Sequence, residues 1–202
     1  MQSIKNTAKL LVLPRMVMTL PLQMWCGVSM SMFGGIFIPL MTRSMADHHD
    51  YDDDKNRQNT AALYAMCLLG AGEIIGGQII GSIRDRIGNN SAIVALLVLT
   101  VIALLVVKIF NHNNTINYMA YLMCFTWGLQ DSWLNTIINC ILGFEFESNI
   151  TPFSIFKFVQ SIAIFVSQII GVLVMNGKHS SSKQQSDLNL YIIVIAIFGI
   201  AS

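Results

Sequence analysis

Two carboxylates lie where a hydrophobic sequence accommodates them worst. Glu73 sits near the middle of an apolar run at about 60–83, and Asp131 near the middle of another at about 116–144. An ionisable group at the centre of a membrane span costs roughly 2.5–3.5 kcal/mol on insertion scales, so it is a functional candidate by default. Desolvation makes the charged form costly, so such a carboxyl group can take up and release protons during a transport cycle. Asn135 and Asn139 follow Asp131 at intervals of four, which sets the three in a polar stripe down one helix face. A stripe of that kind faces protein or water, not lipid. Glu73 has a second reading. It stands beside Gly72, Gly76 and Gly77, and its carboxyl group can equally be hydrogen-bonded within the bundle and fix helix packing. For Asp131 the polar extension through Asn135 and Asn139 favours function.

Other chemistries find little support. Cys26, Cys67, Cys124 and Cys140 each lie inside an apolar run with no paired spacing, as core cysteines do. Asp47, His48, His49, Asp50, Asp52, Asp53 and Asp54 crowd the segment 42–59, but no ligand spacing matches a metal cage, so a solvated acidic loop is expected. Trp127 and Trp133 fall within a span, away from the interface, and read as core rather than as a substrate cage. Lys157 is expected to reach out to the membrane interface from near a span end. No Walker loop, dinucleotide fingerprint or nucleophile–base pair occurs. We therefore expect no enzyme, no cofactor and no metal. A net charge of +1 gives no reason to expect nucleic acid.

The elements that must position these residues are helices in lipid. Of the 202 residues, 54% are hydrophobic and only 11% charged, against about a quarter charged in a soluble domain. Residues 1–16 form a cytoplasmic N-terminal segment. Residues 17–202 form an all-α polytopic transmembrane bundle, with spans at about 17–41, 60–83, 91–107, 116–144, 152–175 and 188–202. The third run is almost wholly aliphatic and should face lipid widely. It ends at Lys108, and a polar loop is expected at Asn111–Thr115. The sixth run holds about 15 residues, too few for an ordinary span, so the sequence reads as truncated in its last helix. In the second span Gly72 and Gly76, and Gly77 and Gly81, are each four apart, which lets a neighbouring helix approach closely.

With the N-terminus inside, the inner segments hold Lys5, Lys9, Arg15, Arg84, Arg86 and Lys157. The outer ones hold Arg43, Lys55, Arg57, Lys108, Lys178 and Lys183. The counts tie, but the inner cations lie in short loops and near span ends, where the positive-inside rule acts. Asn113-Asn114-Thr115 would then be an outer glycosylation sequon.

The loop after the second span reads Gly81-Ser82-Ile83-Arg84-Asp85-Arg86-Ile87-Gly88. This G-x-x-x-D-R-x-G pattern resembles the short cytoplasmic loop motif of the major facilitator superfamily, with Asn89 and Asn90 where further basic residues often follow. Gly81, Asp85, Arg86 and Gly88 are its conformational residues. Glycines allow the tight turn, and the charges can pair with helix ends and latch one conformation. Further pieces occur in order. They are Leu13-Pro14-Arg15-Met16, Phe33-Gly34-Gly35, Gly72-Glu73-Ile74-Ile75-Gly76-Gly77, Gly128-Leu129-Gln130-Asp131 and Leu142-Gly143-Phe144. Together they resemble the second half of the uncoordinated-93 family, the ion channel regulatory proteins, a branch of that superfamily. The resemblance implies a six-span half of a major facilitator fold, and a fragment that lacks its N-terminal half or pairs with a second copy.

Two functions follow from the resemblance. The first is transport of a small solute by alternating access, proton-coupled through Glu73 or Asp131. The alternative is a non-transporting regulator or trafficking partner of an ion channel or another membrane protein. Membrane lipid is a partner in either case, in the plasma membrane or an endomembrane.

Overall fold

A computed structural model describes residues 7, 9–41, 55–113, 118–146, 150–176, 190–195 and 197–200. The acidic segment 42–54, with its two histidines, and the loop at 114–117 lie outside these. Among the described residues there is no strand.

Helix α1 (Pro14–Met32) starts with proline in its first turn, where the missing N–H is not needed. Leu13 before it is extended, as a residue preceding proline should be. The helix runs into a π-helical turn, Phe33–Phe37, that contains Gly34 and Gly35. It continues to Met41, giving one apolar unit of 28 residues. Helix α2 (Lys55–Ile87) and α3 (Asn89–Asn113) meet at Gly88, whose φ of 90° is a backbone state that favours glycine. Helix α4 (Tyr118–Glu145), α5 (Ile150–Asn176) and the short apolar α6 (Leu190–Ile200) complete the bundle.

Six spans are expected from the sequence. Four helical stretches are long and apolar enough to cross a membrane: Pro14–Met41, Asn59–Arg84, Asn90–His112 and Ile150–Val174. Helix α4, at 28 residues, has the length. Its polar residues lower its hydropathy, and it can carry them because it packs against α1, α2, α3 and α5 at the centre of the bundle. Helix α3 exposes Val94, Val98, Ile102 and Leu105 on its outer face. It does not end at Lys108. Asn111, His112 and Asn113 are helical rather than loop, and Asn111 is buried.

Burial divides the bundle into two tight helix pairs, α2 with α4 and α1 with α5, joined where α1 crosses α4. Helix α6 is tied to the second pair. Tyr191 OH lies 2.9 Å from Ser167 Oγ and donates to the Ser167 carbonyl at 3.1 Å. Phe198 meets Trp25 edge-on at 6.4 Å. Trp25 and Trp127 are core residues. Trp127 Nε1 donates to the Ser29 carbonyl at 3.1 Å, and Trp133 Nε1 to that of Ala92 at 3.3 Å.

Candidate functional site

The α2–α4 seam places the acidic pair. A Cβ on Gly72 would run into the Phe125 carbonyl, and one on Gly128 into the Leu69 carbonyl. Gly76 is only slightly less confined, with the Leu129 carbonyl oxygen 2.9 Å from its would-be Cβ. Backbones in this contact exclude any side chain, and Cα–H groups can lie against carbonyl oxygens. Gly77 abuts Ser132, whereas Gly81 has open space around it. The expected glycine face therefore extends over Gly72, Gly76 and Gly77 and stops before Gly81. The seam holds Glu73, whose backbone N faces Gly128, about one helical turn before Asp131 on α4. Glu73 is half-buried and Asp131 is 3% exposed.

Asp131 belongs to a second seam, between α1, α4 and α5. Ser29 Oγ donates to Asp131 Oδ1 at 2.8 Å and lies 3.2 Å from Gln130 Oε1. Asn135 Nδ2 donates to Asp131 Oδ2 at 3.0 Å and to the Asp131 carbonyl at 2.9 Å. Cys26 Sγ donates to Asn135 Oδ1 at 3.3 Å, and Gln160 Nε2 donates to Cys26 Sγ at 3.1 Å. Lys157 Nζ donates to Gln160 Oε1 at 2.9 Å. From the ammonium to the carboxylate every donor points the same way: Lys157, Gln160, Cys26, Asn135, Asp131. Dipoles aligned head to tail between a cation and an anion polarise one another and strengthen the chain. The fully buried Gln130 Nε2 has no hydrogen-bond partner.

Asn139 is exposed and joins none of these contacts. Each four-residue step overshoots a helical turn by about 40°, so two steps carry Asn139 about 80° away from Asp131. Lys157 is exposed. It bonds Gln160, one turn further along α5, and its ammonium stands 4.8 Å over the Phe156 ring. From sequence Cys26 reads as core, and Ser29 is given no functional role. Their partners lie 109 and 102 residues away, and no local spacing reports such pairs.

The loop motif turns at Gly88. Its Arg84 stacks over Phe144 at 5.0 Å, at the end of α4. Arg86 is exposed, and a Cβ on Gly81 would meet nothing within 4 Å. One residue beyond Phe144, Glu145 pairs with Arg15 at 3.7 Å, with both side chains exposed. The start of α1 and the ends of α2 and α4 thus meet at one end of the bundle. Elsewhere, a cavity of about 350 Å³ between α1, α3, α4 and α6 is lined mainly by apolar groups, among them Leu22, Trp25, Leu96 and Ile137. It contains none of the candidate residues.

Among the described residues no cluster of His, Cys, Asp or Glu could hold a metal. No solved structure matches the chain. The family model described as Ion channel regulatory protein UNC-93 matches residues 1–201, nearly the whole length. With an all-α membrane bundle and that match together, the chain belongs to the ion channel regulatory protein UNC-93 family.

Proposed function

We propose that this protein is a non-transporting regulator that binds an ion channel or another membrane protein side by side within the bilayer. The observation that carries this reading is a polar stripe on α5. Lys157, Ser161 and Gln168 are all exposed and lie within about 40° of one another around the helix, over about 16 Å of its length. Exposed polar side chains along a membrane helix call for protein or water beside them. The family description fits a regulator better than a solute carrier, the reading placed first from sequence. Asp131 then acts as a structural acceptor that joins α1 to α4, and the chain carries no enzymatic activity.

We place the N-terminus in the cytoplasm, since Arg15, Arg84 and Arg86 gather at one end of the bundle. Whole-cell currents in native cells depleted of the protein, then restored, test the function alongside solute flux in proteoliposomes of the pure chain. The expected result is a current that falls or rises on depletion, recovers on restoration, and is accompanied by no carrier flux. Proton-driven solute uptake by the pure chain, abolished by Asp131→Asn, would establish the transport reading instead.

A further inference from the structure

We propose that the cavity between α1, α3, α4 and α6 binds a small, neutral, apolar molecule that carries one hydrogen-bond acceptor, such as a ketone or ester oxygen. The site lies inside the bundle and is independent of the regulator reading.

The walls of the cavity come from four helices of this chain, with Leu22 and Trp25 on α1, Leu96 and Thr100 on α3, Ile137 on α4 and Gly199 on α6. A Cβ on Gly199 would lie 2.6 Å from ring carbons of Trp25, so the α6 backbone rests directly on the indole and holds it. The volume of about 350 Å³ is roughly twice that of an apolar cavity known to take one benzene, and it falls in the range of ligand sites. Two polar groups in this wall lack partners. Trp127 and Trp133 each donate their indole N–H to a backbone carbonyl. Trp25, 1% exposed, has no such bond among the described residues. Thr60, Thr126 and Thr136 each turn the hydroxyl back onto the carbonyl four residues earlier. Thr100, 2% exposed, has no hydrogen bond among the described residues. Neither group is sealed by protein as Gln23 Oε1 and Gln130 Nε2 are, so each opens onto the cavity. An indole N–H only donates and a hydroxyl can donate, so both are met by an acceptor. Among the described residues no ionisable side chain lines the space, so a charge there would go uncompensated and the ligand is neutral. A single water would satisfy the two groups and leave the apolar remainder unfilled.

The test uses the full chain in phosphatidylcholine nanodiscs with benzophenone as the probe, a neutral two-ring molecule with one carbonyl acceptor. Irradiation attaches it to neighbouring C–H groups, and peptide mapping locates the adducts. Two competitors separate shape from hydrogen bonding: phenyl benzoate keeps a carbonyl, and diphenylmethane has none. The expected result is saturable labelling at Leu22, Leu96 or Ile137, displaced by phenyl benzoate at roughly five- to ten-fold lower concentration than by diphenylmethane. Thr100→Val, which keeps the shape of the side chain, narrows that gap, and adding Trp25→Phe brings the two competitors to parity. Leu22→Trp fills the space and removes the labelling. Adducts spread without saturation over outer residues such as Val94 and Ile102 would overturn the proposal, with the cavity left to water or lipid. Equal displacement by the two competitors in the wild-type chain would overturn the hydrogen-bonding role of Trp25 and Thr100, and with it the proposed ligand class. An unchanged gap in Thr100→Val and in the double variant, with the thermal midpoint preserved, would do the same. Labelling that persists in Leu22→Trp would place the probe elsewhere and overturn the site.

Discussion

Helix α4 meets α2 through glycine and α1 through hydrogen bonds, and the two contacts answer different needs. Along α2 the closest atoms are backbone, with Gly72 and Gly128 each set against a carbonyl oxygen of the other helix. Nothing in that seam can adjust without moving a helix. α1 and α5 close on backbone at Gly27, where a Cβ would meet the Gln160 carbonyl, but α4 is tied to them by side chains, from Ser29 and Asp131 through Asn135 and Cys26 to Gln160 and Lys157. Such a seam can lose one link and keep the others. The rigid seam fixes where Asp131 and Glu73 sit. The adjustable seam carries polarity from the buried carboxylate to the exposed face of α5.

The contrast can be broken most sharply at Gly128. Gly128→Ala places a Cβ against the Leu69 carbonyl and should cost about 3 kcal/mol, the upper end for overpacking, because backbone cannot yield as a side chain does. Unfolding of the purified protein in bicelles would read this. Gly81→Ala, with open space around it, is the matched control and should be neutral or stabilising by roughly 0.5 kcal/mol.

Asp131→Leu comes next. It removes the carboxylate that Ser29 and Asn135 share and leaves Ser29 only Gln130 Oε1 and Asn135 only the residue-131 carbonyl, at a cost of about 1–3 kcal/mol. A smaller loss at this position than at Gly128 is what separates the two seams. Gly88→Ala forces a φ of 90° on a residue with a Cβ and should cost roughly 1–2 kcal/mol, without affecting either seam. The smallest effect belongs to Ser29→Ala. Single hydrogen bonds between membrane helices average about 0.6 kcal/mol in double-mutant cycles. A cycle between Ser29→Ala and Asn135→Ala would show whether the links act together through Asp131.

The helical class, the two buried acidic residues and the glycine-rich second span are legible in sequence because each is a local pattern. Composition reports lipid, and four-residue spacing reports a face. Two parts of the site are not local. Ser29 and Cys26 meet α4 across more than a hundred residues, so neither looks functional in its own helix. Asn139 shows the limit of spacing alone, since a stripe of three Asp/Asn residues drifts around the helix and only two reach α1. Lys157 also looks different in isolation. Its nearness to a span end suggests a reach to the interface, and nothing local reports the link through Gln160 that ties it to the buried chain. The helix boundary past Lys108 was hidden because a charged residue marks an edge of hydropathy, not an end of hydrogen bonding.

The central claim is that the exposed polar face of α5 lies against protein. A photo-crosslinking residue at Ser161, compared with one at Val98 on the outer face of α3, tests it in native membranes. Both positions are exposed. The expected result is a discrete protein adduct from Ser161 and lipid adducts alone from Val98. Lipid adducts alone from both positions would contradict the claim.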